Sequence, residues 1–158
     1  MKHILALVAA LALVAFAAGA MAAEGFTVSA VANTEAEYGS GWPNAFKVIK
    51  AAWTAAADGS KADGTIPATK GRLVLVETNP GATAPADDYD LTILDSNGVD
   101  ITGGALANRD TANSEAVQPL VGSLAYPMGR PFYGPLTVTF TNQANANCDG
   151  VIFLYIEE

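Results

Sequence analysis

The chain has 158 residues, 51% hydrophobic and 15% charged, and sixteen acidic side chains against eight basic ones give a formal net charge of −8. That length fits one ordinary domain, and so high an apolar fraction excludes a disordered chain. An acidic protein without a basic patch is a poor nucleic-acid binder, because phosphate neutralisation supplies most non-specific affinity.

The first predicted element is an address. Met1-Lys2-His3 precedes an apolar run over residues 4–18, closed by Gly19-Ala20-Met21-Ala22-Ala23. A basic start, an apolar stretch and an Ala-x-Ala step describe a secretory signal peptide. Residues 1–22 are therefore read as a signal helix and residues 23–158 as a single domain, exported to the periplasm or the medium. The competing reading is an uncleaved anchor, the one route by which the chain would touch a membrane. Residues 4–23 are just long enough to span a bilayer, but their many alanines drive insertion weakly.

The rest reads as β structure. Phe26-Thr27-Val28-Ser29-Ala30-Val31 alternates at period two. A turn cluster follows, Tyr38-Gly39-Ser40-Gly41-Trp42-Pro43. Residues 45–54 read as a second strand, with Phe46, Val48, Ala51 and Trp53 facing inward. Residues 72–78 form a nearly continuous apolar run that suits a strand buried on both faces, ended by Asn79-Pro80-Gly81 turn chemistry. Tyr89-Asp90-Leu91-Thr92-Ile93-Leu94, the turn Asp95-Ser96-Asn97-Gly98 and Val99-Asp100-Ile101-Thr102 read as a hairpin, its Asn-Gly step suited to left-handed backbone. Residues 108–119 read as loop or one helical turn, and residues 126–131 as loop. Leu136-Thr137-Val138-Thr139-Phe140-Thr141 and Val151-Ile152-Phe153-Leu154-Tyr155-Ile156 are the last two strands, expected to pair antiparallel. About seven short strands with frequent turns predict an all-β, antiparallel β-sandwich, immunoglobulin-like or jelly-roll-like.

Candidate chemistry is sparse. Cleavage of 22 of the 158 residues leaves 136 and removes His3, the single histidine. Without it no Ser-His-Asp or Cys-His arrangement can be built. One cysteine cannot supply a thiolate cage. No cofactor and no enzymatic activity are expected. Cys148, in a polar loop beside Asp149, reads as an ordinary loop thiol that nothing activates. Asp87-Asp88-Tyr89-Asp90, Asp95 with Asn97 and Asp100, and Asp58 with Asp63 could offer oxygens to calcium, but none matches a calcium loop, and turn chemistry accounts for these residue types. Carboxylate pairs are too numerous to single out a glycosidase couple. Among the aromatics, Trp53 reads as core, whereas Tyr38 and Trp42, in a Gly/Pro loop, are candidates for stacking on a ligand; Tyr126 and Tyr133 belong to the same aromatic set. Arg109 reads as forming an ion pair with neighbouring Asp110 that fixes its loop, and completes the candidate ligand or interface set with Tyr38 and Trp42.

The block from Gly71 to Pro85, with Leu73-Val74-Leu75-Val76-Glu77-Thr78-Asn79-Pro80-Gly81 at its centre, and the block Asp88-Tyr89-Asp90-Leu91-Thr92-Ile93-Leu94-Asp95 resemble a group of small, mostly uncharacterised β-sandwich proteins found in tailed-phage and prophage gene sets. Gly98-Val99-Asp100, Gly103-Gly104-Ala105-Leu106-Ala107-Asn108-Arg109, the Trp53-Thr54 strand end and the closing stretch from Val151 to Glu157 fit the same pattern. The similarity spans residues 47–157, and similar members also carry signal-like starts. The resemblance implies a small β-sandwich serving as an accessory virion protein, and it transfers no catalytic residues.

The leading expectation is therefore a non-enzymatic structural or interaction protein, phage-associated, exported or in a virion. It would pack through sheet edges and loops against copies of itself or other virion subunits. The alternative is a secreted or periplasmic glycan-binding module that uses Tyr38 and Trp42, with calcium as a supporting ion.

Overall fold

Period-two alternation buries one face of a strand and leaves the other open, and that pattern organises the chain. The computed structural model describes residues 24–33, 46–121, 124–125 and 130–157. Its strands are β1 (Gly25–Asn33), β2 (Phe46–Thr54), β3 (Gly64–Pro80), β4 (Asp90–Leu94), β5 (Glu115–Val117), β6 (Leu120–Val121), β7 (Leu124–Ala125), β8 (Arg130–Thr141) and β9 (Asp149–Glu157). No helix occurs among the described residues. The all-β, antiparallel expectation holds. The signal segment, residues 1–22, lies outside the described residues, as do Tyr38 and Trp42.

Seven strands form one antiparallel sheet in the order β1-β2-β9-β3-β8-β4, with β5 added to β3; β6 and β7 pair separately. The sheet curls over its own core. Trp53 on β2 and Phe140 on β8 are separated by two strands in the sheet order, yet their ring centroids lie 4.9 Å apart. Tyr89, just before β4, closes on Trp53 at 5.9 Å. Ile49, Ala51, Ile66, Leu73, Val76, Leu91, Ile93, Leu136, Val138, Ile152, Leu154 and Ile156 fill the same core.

β3 is the axis of this arrangement. Its first part, to Leu73, pairs with β8, and its second part pairs with β9 on one side and β5 on the other. A strand of 17 residues cannot follow a curled sheet without local kinks. Two register shifts supply them, between Ile66 and Thr69 against β8 and between Leu73 and Leu75 against β9. Each adds one residue on the β3 side. Such bulges bend a strand and raise its twist. They also keep Ile66, Leu73, Val76 and Thr78 on the buried side, although their spacing breaks the two-residue period.

The opposing row on β9 is regular, with Gly150, Ile152, Leu154 and Ile156 buried. Gly150 stands directly across from Trp53. A Cβ there would lie 2.9 Å from the indole ring. Only a residue without a side chain leaves room for tryptophan at this pair.

Several expectations are corrected. β8 and β9 do not pair with each other, because β3 lies between them. Residues 142–148 instead join the two halves of the curl, because the end of β8 lies against Trp53, the residue across from Gly150 at the start of β9. On β2 the buried residues are Ile49, Ala51, Trp53 and then Ala55, while Val48 is half-buried on the other face; the Phe46 side chain lies outside what is described. The bulge-bearing β3 starts at Gly64, well before the apolar run, and Val74 and Leu75 are only half-buried. Residues 99–102 form no strand but touch β4 through a single bridge, Leu94 to Asp100. In the intervening turn only Gly98 takes a positive φ, of 75°. Asp95 N–H donates to Val99 O and Gly98 N–H to Asp95 O, a three-residue loop whose last position requires glycine. Residues 108–119 contain β5, and Arg130 and Pro131 belong to β8 rather than a loop.

Trp53 is 2% exposed and meets both halves of the curl. Replacing it by alanine should cost about 3–5 kcal/mol, the usual range for a large core aromatic. Urea unfolding followed by circular dichroism measures this, and a loss under 1 kcal/mol would contradict the packing described.

Candidate functional site

Arg109 is the one candidate ligand or interface residue that falls within the described structure. It is 8% exposed, so it is not a surface contact. Its backbone N–H donates to Tyr89 O at 2.8 Å, which pins its loop to the residue before β4. Its Nε and Nη2 donate to Ala107 O at 3.2 and 2.8 Å. Its Nη1 lies 3.3 Å from Glu115 Oε2 as an ion pair, without the alignment of a hydrogen bond.

The expected partner, Asp110, is engaged elsewhere. Its carboxylate accepts from Ala112 N–H, Asn113 N–H and Asn113 Nδ2. Those bonds, the Asn113 side chain first, hold its pKa below the ordinary carboxylate value. Glu115 takes the arginine because β5 pairs with β3 and carries the glutamate to that spot. Glu115 Oε2 also accepts from Asp110 N–H at 2.8 Å. Sequence adjacency favours Asp110, but a strand pairing decides the partner.

Tyr89 completes this buried polar node at 1% exposure. Burial pushes its phenol from the ordinary value of 10 up to about 12, with the Arg109 guanidinium and a hydrogen bond with Thr78 pulling the other way. A phenol held neutral this firmly does not act as a base near neutrality.

The acidic candidates serve loops in the same way. Asp58 accepts from the Ser60 hydroxyl and N–H. Asp95 accepts from the N–H groups of Asn97 and Val99. Asp100 accepts from the Thr102 N–H and hydroxyl and from Gly104 N–H. Asp90 ties Asn108 N–H to Asn142 Nδ2. The carboxyls of Asp58 and Asp95 are held below their ordinary values, by the Ser60 hydroxyl and the Val99 N–H respectively. Among the described residues no three acidic, cysteine or histidine side chains converge as metal ligands.

Cys148 is buried although its loop is polar. It has no accessible surface, and its carbonyl accepts from Ala55 N–H at 2.8 Å. The next residue anchors the segment: Asp149 N–H donates to Thr83 O, and Asp149 Oδ1 accepts from Thr83 N–H. Burial pushes the thiol pKa up, and the Asp149 charge adds to the effect. A buried, protonated thiol is inert. Of the aromatics, Trp53 is core as expected, and Tyr133 is 67% exposed on β8. Tyr126 lies outside the described residues.

No protein-family model matches this chain, and no curated protein matches it.

Two outcomes are expected. Glu115→Ala leaves a buried guanidinium without its counter-charge; because Glu115 is itself about a third exposed, the loss should fall at about 1–3 kcal/mol, below that for a fully buried pair. Chemical denaturation checks this. For pH, the folded state favours the neutral Cys148 thiol, so its contribution is present below the ordinary thiol value of 9.0 and is lost as pH rises through the raised folded value. The urea midpoint should fall above about pH 9, and Cys148→Ser should flatten the first part of that fall; a midpoint unchanged by alkali contradicts a buried neutral thiol.

Proposed function

We propose that this chain is a non-enzymatic structural protein, an accessory subunit of a tailed-phage virion that acts by packing against copies of itself or neighbouring subunits. The reading extends to a β-sandwich, with β1, β2 and β9 as one layer, β8 and β4 as the other, and β3 shared between them. It also includes export, with residues 1–22 as a cleaved signal peptide. The observation that carries it is where the described polar groups are used. Asp58, Asp90, Asp95, Asp100, Asp110 and Asp149 all accept from loop backbone or side-chain donors. The hydroxyl of Tyr89 and the thiol of Cys148 are buried in their neutral forms. Groups committed to shape favour a subunit whose product is a surface. The resemblance of residues 47–157 to phage-associated proteins points the same way. A net charge of −8 keeps the free subunit soluble before assembly.

Native mass spectrometry of the full chain expressed in a Gram-negative host tests this. The expected result is an oligomer of a species that begins at Ala23. Monomers alone, at every concentration sampled, would overturn the reading.

A further inference from the structure

The outward faces of neighbouring strands differ sharply in chemistry. β8 points Thr137, Thr139 and Thr141 outward between its core residues, as a solvated antiparallel sheet does. β9 points Val151, Phe153 and Tyr155 outward, each half-buried and partly open to solvent. Across from them stand Asn79, Glu77 and Leu75 on β3 and Ala52, Lys50 and Val48 on β2. The result is an apolar, aromatic stripe along the centre of the sheet, bordered by one cation and one anion in the same row. Lys50 and Glu77 both face Phe153, one from each side, at about 4.8 Å per strand spacing. Tyr155 Oη donates to Glu77 Oε2 at 3.1 Å, which holds the carboxylate in place on this face.

We propose that this face, the outer side of β2, β9 and β3, is where a second copy of the chain docks. This rests on the reading of the protein as a self-packing subunit and names the surface that does the packing. Two identical faces pack as a closed pair when a two-fold axis lies in the plane between them, so that residue i of one copy meets j of the other, j meets i, and only residues on the axis meet themselves. With that axis along β9, Phe153 meets the partner's Phe153, and Lys50 of each copy stands over the partner's Glu77. The charge pair is self-complementary because lysine and glutamate flank the axis at equal distances. An axis along β2 or β3 would not match them. Because each sheet twists, the two faces splay apart away from the centre of that axis. The row through Phe153 is then the point of closest approach. Four adjacent strands, β1, β2, β9 and β3, at ~4.8 Å spacing and ~30 Å length present about 600 Å², the lower end of the ~600–1,000 Å² per partner of a specific interface.

Charge reversal tests the geometry, because both positions are half-exposed and tolerate substitution. Sedimentation of the full chain across concentration should show a dimer. Lys50→Glu alone and Glu77→Lys alone should each weaken dimerisation at least tenfold, by setting like charges against each other. The double variant should restore affinity to within about threefold of the original. That rescue also controls for misfolding, since a damaged fold is not repaired by a second reversal. An oligomer indifferent to both single reversals, or a double variant that is not rescued, overturns the choice of face while leaving the self-packing reading intact. A species monomeric at every concentration, whether its face is taken by another protein or by residues outside those described, overturns both.

Discussion

The whole arrangement depends on one strand having two partners on the same side. β3 gives its first part to β8, exchanges that neighbour for β5, and pairs its second part with β9 throughout. The connection is antiparallel hydrogen bonding, and hydrogen bonds along a curled path require bulges at Ile66–Thr69 and Leu73–Leu75. Without the added residues the inward row would slip to the solvent side midway, since each one-residue shift reverses the faces. β1 and β2 attach through β9, and β4 attaches through β8. The contact between Trp53 and Phe140 exists because β3 brings the two halves round to face each other.

Much of this was legible in the residues. β1, β2, β4, β8 and β9 show period-two alternation because each has one buried face, and burial is what alternation records. The Asp95–Gly98 turn was legible because left-handed backbone demands glycine there. The hidden parts share a cause. The first half of β3 is small, polar and contains Pro67, and its strand state comes from its neighbours rather than its own propensity. β5 is too short to show a period. The order β9-β3-β8 is a long-range pairing, which local pattern does not encode.

The candidate site followed the same rule. The type of role for Arg109, an ion pair that fixes a loop, could be read from its neighbours, but its partner Glu115 depends on β5 lying beside β3. Cys148 reads as an ordinary thiol in a polar loop, and its burial was not legible because it depends on the anchoring of Asp149 to Thr83. Tyr38 and Trp42 lie outside the described residues. The outward stripe of Val151, Phe153 and Tyr155 was present in the alternation of β9, whose two faces are both apolar; it stands out only once β9 is known to be central and its other face known to be the core.

The account stands or falls on β3 joining both halves into one cooperative unit. Native-state amide hydrogen exchange at increasing denaturant measures this directly, because strands that open together share one free energy. The prediction is that amides of β3, β8 and β9 exchange only through a single global opening, last in the chain. Two separate openings, with β2 and β9 exchanging at one free energy and β8 and β4 at a lower one, would contradict it.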